Sequence, residues 1–162
     1  MGVAIRDAAP ADEDFILALN AASTPAVGEM NLQSYRDIAA QADRVLIAEA
    51  GGEPAGFLIL IRPGSSYRSD NYGWFEEQFD RHLYIDRIAI SERAKGQGIG
   101  RALYNAALTL AGELGEERLT AEVNEDPPNP QSMAFHEKLG FRHLLSRMSR
   151  SGKVVAMLER PL

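Results

Sequence analysis

The sequence predicts one α+β domain of the layered α/β type: a mixed sheet of about seven strands with about four helices packed on it. Three observations lead there. The chain has 162 residues, enough for one real core and too few for two comfortable ones, so residues 1–162 read as a single domain. Strand-like runs of period two alternate with runs of helical period along its whole length. One of those strands, Phe57-Leu58-Ile59-Leu60-Ile61, is apolar on both faces, as expected of a central strand covered on both sides. No internal repeat or low-complexity segment interrupts the pattern.

In chain order, Val3 and Ile5 mark a short first strand. Pro10-Ala11-Asp12-Glu13-Asp14 opens a helix, with proline in the first turn and acids at the positive end of the dipole. Phe15, Ile16, Leu19 and Ala22 form its apolar side. Residues 24–30 are a loop, and Asn31 caps a second helix whose apolar positions are Leu32, Tyr35, Ile38, Ala39 and Ala42. Strands over 44–50 and 55–61 form a hairpin through Gly51-Gly52-Glu53-Pro54.

Residues 62–81 break the pattern with Pro63, Gly64 and Gly73, yet carry Tyr67, Tyr72, Trp74, Phe75 and Phe79. So aromatic an insertion either packs on the domain as a short helical flap or lines a pocket. Glu76, Glu77 and Asp80 beside Tyr72 and Trp74 would suit an amine. The following strand, 83–90, changes apolar phase: Leu83 and Ile85 are odd, Ile88 and Ile90 even. Either a β-bulge at Asp86-Arg87 reconciles the halves, or the strand is buried on both faces.

A glycine-rich turn, Lys95-Gly96-Gln97-Gly98-Ile99-Gly100-Arg101, leads into an amphipathic helix with Ile99, Leu103, Ala107, Leu110 and Leu114 on one side and Gly115 at its end. Leu119, Ala121 and Val123 alternate in a strand over 118–124. Asn129-Pro130 starts a short helix that Gly140 ends, with Phe141 placed for the hydrophobic contact of a Schellman motif. A hairpin over 141–149 and 154–160 closes the sheet.

Composition narrows the function classes. The chain is 45% hydrophobic and 25% charged, ordinary globular usage, and no apolar run approaches the roughly 18 residues of a membrane span. The N-terminus lacks the pattern of a secretory signal, and zero cysteines rule out disulfides, thiolate metal sites and a cysteine nucleophile, so a cytoplasmic protein is expected. A net charge of -6 without a basic block argues against nucleic acid. It either draws cationic ligands or only aids solubility.

Strand, glycine turn and helix together leave backbone N–H groups at the positive end of a helix dipole, a site for phosphate. The dinucleotide fingerprint G-x-G-x-x-G fails because position 101 is arginine, and the P-loop fails for want of Lys-Ser or Lys-Thr. A nucleotide-binding regulator is disfavoured by both failures.

The turn 95–100 resembles the Arg/Gln-x-x-Gly-x-Gly/Ala acetyl-CoA signature of the GNAT superfamily of N-acetyltransferases. Ile88-Ala89-Ile90 resembles the end of that family's bulged fourth strand, and residues 129–141 resemble its second motif, in which Asn begins a helix ending in Gly-Phe. Two motifs in the right order, with a strand between them, extend the resemblance over essentially the whole chain. It implies a splayed pair of central parallel strands, with the pantetheine arm of acetyl-CoA against the backbone of Ile88, Ala89 and Ile90. It further implies that the N–H groups of Gln97, Gly98, Ile99, Gly100 and Arg101 hold the pyrophosphate, with Lys95 and Gly96 completing the turn, and that Asn129 meets the pantetheine arm.

The family pattern is broken at Lys95, where Arg or Gln is usual, and at His136, where the family places the tyrosine that protonates the departing thiolate. His136 either takes over that role or packs against the cofactor. The resemblance implies direct transfer of the acetyl group to an amine, a small molecule or a peptide, in a ternary complex, with a homodimer compatible. Asp86, at the bulge, is the first candidate for the base, the alternative being an Arg87 partner or a purely structural carboxylate; Glu122, on the neighbouring strand, and Tyr84 are also placed to line the cleft. A non-catalytic acyl-CoA-binding module is the alternative, supported by the absent tyrosine.

Overall fold

In a computed structural model that describes residues 2–162, the strands are β1 (Val3–Asp7), β2 (Arg44–Ala50), β3 (Glu53–Ile61), β4 (Leu83–Ile90), β5 (Arg118–Asp126), β6 (Arg142–Met148) and β7 (Val154–Pro161). They form one sheet in the order β1-β2-β3-β4-β5-β7-β6, antiparallel except where β4 meets β5. The helices are α1 (Glu13–Ala22), α2 (Leu32–Gln41), α3 (Asp70–Gln78), α4 (Ile99–Glu113) and α5 (Pro130–Lys138). Among the described residues no helix is long and apolar enough to cross a membrane.

Alternation along β3 builds the layers. Leu58 and Leu60 point to a core shared with Ile99, Leu103, Tyr104 and Ala107 of α4 and with Phe141. Phe57, Ile59 and Ile61 point to a second core with Ile16 and Leu19 of α1, Tyr35 of α2, and Tyr72 and Phe75 of α3. All five β3 side chains are fully buried, as expected for a central strand covered twice.

Local chemistry explains the ends. Asn31 caps α2, its Oδ1 accepting from Ser34 N–H at 2.9 Å. After α5, Gly140 (φ 93°) donates to Glu137 and Phe141 donates to the His136 carbonyl, the two bonds of a Schellman motif. Four expectations need correction. The first hairpin turns on Gly51-Gly52 alone, both at positive φ, while Glu53 and Pro54 already belong to β3 beside a bulge at Ala48-Glu49. Leu32, at the exposed first turn of α2, faces solvent. On α4, Tyr104 and Ala111 are buried where Leu110 and Leu114 only pack at the margin. The helices number five among the described residues, because the 62–81 insertion forms α3 and packs as a flap.

Candidate active site

β4 and β5 pair only at Leu83↔Leu119 and Tyr84↔Thr120. Beyond that point β4 carries the bulge: Ile59 of β3 faces Arg87 and Leu60 faces Ile85, so Asp86 is the extra residue. The strands then separate into a fork that opens a cleft of about 960 Å³. Ser91 N–H is spent on Ala55 of β3 at 2.8 Å. By the two-residue alternation of an antiparallel ladder, the backbone groups of Ile88 and Ile90 face the fork instead, and those of Ala89 face β3.

The glycine turn forms one rim. Gly96 and Gly98 sit at φ 83° and 79°, with nothing within 4 Å of where a Cβ would stand, so both turn a bare backbone to open space. Gly98 is also the cap of α4, leaving the N–H groups of Gly98, Ile99, Gly100 and Arg101 without helical partners. The Gln97 N–H, expected in this set, is instead donated to the Ala94 carbonyl at 3.3 Å. Gly100 serves packing: a Cβ there would lie 2.6 Å from Phe135 and 2.9 Å from Ile90. Lys95 pairs with Glu92 at 2.8 Å. Asn129 lines the cleft and caps α5, its Oδ1 accepting from Ser132 N–H at 3.3 Å, which leaves its amide donors available. The bare turn, the free first-turn N–H groups and the open strand edge together fit a pyrophosphate on an extended arm.

Glu122 sits on the floor of the fork. Its Oε1 accepts from Tyr84 at 2.5 Å and from Asn71 at 3.0 Å, and burial, with Asp86 nearby, raises its pKa to about 7. Tyr84, expected to line the cleft, is fully buried beneath it and orients Glu122. Asp86 is committed: Oδ2 accepts from Arg87 Nε at 2.7 Å, and Oδ1 accepts a short hydrogen bond from Tyr67. Arg87 reaches on to the side chain of Asn20 at 3.0 Å and the carbonyl of Gly28 at 2.9 Å. Glu122 has a pKa suited to take a proton near neutrality, while Asp86 is held in an ion pair with Arg87.

His136 is buried, and both its ring nitrogens are occupied. Nδ1 lies 2.7 Å from the Ser132 carbonyl, which accepts only, so Nδ1 carries the proton. Nε2 then accepts from the Tyr104 hydroxyl at 2.6 Å. Burial lowers the His136 pKa, keeping the ring neutral.

The four residues of the flap expected to meet substrate lie away from the cleft. Tyr72 is buried and donates to the Arg62 carbonyl at 2.6 Å. Trp74 packs edge-on against Phe75. Glu76 binds His82 Nε2 at 2.6 Å and Gly64 N–H at 2.8 Å, and Glu77 faces solvent. Glu76 therefore ties α3 to His82, the residue just before β4. The cleft is lined instead by Tyr67, Ser69, Asp70 and Asn71, which precede or open α3.

Sequence reasoning missed the opposite rim. The α1–α2 loop crosses the cleft mouth, held at Gly28 by Asn20 and Arg87 and at Pro25 by Asn124 and Lys153, both at 3.2 Å. These pairs are 99 and 128 residues apart in sequence, and no local pattern marks them.

The sequence model described as the Acetyltransferase (GNAT) family matches residues 14–141. The mycothiol acetyltransferase of Pseudarthrobacter chlorophenolicus is 26% identical over 144 residues, covering 86% of this chain and 42% of that protein. The peptidyl-lysine N-acetyltransferase YjaB of Salmonella typhimurium is 41% identical over 59 residues, 36% of each chain. The crystal structure of Ard1 from Thermoplasma volcanium superposes with a TM-score of 0.80 at 19% identity, covering 100% of this chain and 99% of that one, a likeness of fold. The chain spans less than half the length of the curated mycothiol acetyltransferases it matches.

Proposed function

This chain belongs to the GNAT acetyltransferase family, and from that premise we propose that it transfers the acetyl group of acetyl-CoA to an amine, with Glu122 as the general base. The observation that carries this reading is a half-buried carboxylate with a pKa of about 7 on the floor of a fork whose rim is a phosphate cradle. Acetyl-CoA, when bound, supplies an acetyl group activated as a thioester. The N–H groups of Gly98, Ile99, Gly100 and Arg101 hold phosphate oxygens, the Arg101 guanidinium adds charge, and the free backbone of Ile88 and Ile90 pairs with the arm in the manner of an added strand.

An acceptor amine arrives as an ammonium and must lose a proton before it can attack. Glu122 Oε2 takes that proton, because Oε1 holds both Asn71 and the short 2.5 Å bond from Tyr84, whereas Oε2 has only the longer 3.0 Å contact with the same hydroxyl. Asp86, held by Arg87 and Tyr67, stands beside Glu122 and helps, after burial, to raise the Glu122 pKa. We assign His136 to positioning Tyr104 and give it no proton to donate, since Nδ1–H is fixed on a carbonyl and Nε2 accepts. The names of the relatives point to a small molecule, mycothiol, in one set and to a peptide, peptidyl lysine, in the other. A cytoplasmic setting fits a chain without cysteine.

Calorimetry with acetyl-CoA and a thiol-release assay over a panel of primary amines test the reading. Binding together with amine-dependent release is expected. Absence of binding at millimolar acetyl-CoA would sink it, and binding without release for every amine would favour a non-catalytic acyl-CoA module.

A further inference from the structure

The charges lining the cleft are nearly all answered within it. Asp86 pairs with Arg87, Glu92 with Lys95, and Asp70 with Arg147 at 3.7 Å and with the Arg150 N–H at 2.7 Å. Among the described residues, two cations lining the cleft, Arg101 and Lys153, have no carboxylate partner. Arg101 stands at the glycine turn, where a phosphate would answer it. Lys153 stands at the other end, in the turn that joins β6 to β7, and its ammonium meets only the Pro25 carbonyl. That carbonyl is already satisfied by Asn124 Nδ2.

The turn around Lys153 has the same character. Ser149 and Ser151 also line the cleft, and Arg150, exposed beside them, forms no salt bridge among the described residues. This rim carries Lys153 and Arg150 and is rich in hydroxyls; Asp70 on it is answered by Arg147 and the Arg150 N–H, and Asp126 of β5 stands opposite Val154, while Glu76 of the acidic 76–80 stretch is turned to His82. From this arrangement, and resting on the acetyl-transfer reading above, we infer that the acceptor is an amine that also carries an anionic group, and that Lys153 reads that group.

The spacing sets the kind of molecule. Glu122 and Asn124 lie two residues apart on one face of β5, roughly 7 Å. Asn124 and Lys153 donate to the same oxygen, so the ammonium sits close beyond Asn124. The anion therefore belongs several bonds from the reacting amine, as in an ω-amino acid or a short peptide with a free C-terminus. When it binds, a carboxylate replaces the weaker carbonyl partner of Lys153, and Asn124 keeps the α1–α2 loop in place.

Matched acceptors test the inference: 6-aminohexanoate against 6-aminohexanamide, and Gly-Gly-Gly against its C-terminal amide, each with acetyl-CoA and a thiol-release readout. The carboxylates should be preferred in kcat/KM by about 10-fold, carried by KM, as expected for a charge-assisted contact. At about 1 M salt, where the screening length falls to about 3 Å, the preference should shrink. Lys153→Met should bring the ratio close to one, Lys153→Arg should keep it, and Lys153→Glu should invert it. Equal use of acid and amide by the wild type, or an unchanged ratio in Lys153→Met, overturns this inference and leaves acetyl transfer standing. No thiol release with any of the four amines, or with a wider amine panel, overturns the acetyl-transfer reading and the inference with it.

Discussion

The two halves of the cleft are built by different means. The half we assign to the cofactor is made of backbone: a bulged strand edge, two glycines at positive φ and the first turn of α4, all within residues 83–103. The half we assign to the acceptor is made of side chains from α1, the α1–α2 loop, the segment before α3, β5 and the β6–β7 turn. Backbone chemistry depends on local geometry and is rewritten only by changing glycines or the bulge. Side-chain chemistry assembled across the chain can be altered one residue at a time. A family can thus keep one donor and vary the acceptor.

Substitutions on either side should separate the halves. Glu122→Gln should have the largest effect, lowering kcat/KM at least about 100-fold with acetyl-CoA affinity nearly unchanged. A joint loss of turnover and cofactor affinity would instead make Glu122 part of the donor half. Gly98→Val should do the reverse, weakening acetyl-CoA binding about 10-fold by calorimetry, because a branched side chain is strained at φ 79°. Equal affinity in that variant would deny the turn its role.

His136→Phe probes the boundary between the halves. It should leave kcat within about 3-fold of wild type but lower stability by about 1–3 kcal/mol in denaturant unfolding, since the buried Tyr104 hydroxyl loses its acceptor. A large drop in kcat with stability intact would restore His136 as an acid. The smallest effect concerns pH. The Glu122 pKa is about 7 in the fold and ordinarily 4.5, so its contribution to stability is complete below about 4.5 and lost as pH rises through about 7. Glu122→Gln should therefore raise Tm more at pH 8 than at pH 5, by thermal melts at both.

The donor half was legible because its signals are local. The apolar phase slip between Ile85 and Ile88 marked the bulge, and the spacing of Gly96 and Gly98 marked the turn. Even there, the packing duty of Gly100 was hidden, because Phe135 and Ile90 meet it only in the fold. In the acceptor half the sequence named Glu122, but only as second to Asp86, and put the flap residues in the wrong place. Glu76 and Glu77 stand next to aromatics in sequence, yet α3 turns one towards His82 and the other to solvent. Asp86 was favoured over Glu122 for its place at the bulge. The adjacent Arg87 was the alternative partner open to Asp86 in the sequence, and the structure makes that pair; the Tyr67 contact and the burial that raises the Glu122 pKa are tertiary facts.

The most direct measurement is kcat/KM against pH, at saturating acetyl-CoA, for the wild type and Glu122→Gln. The wild type should rise through a single ionisation near pH 7, and that rise should vanish in the variant. A wild-type profile with no ionisation between about pH 6 and 8, or a variant that keeps both the rise and the rate, would remove Glu122 as the base.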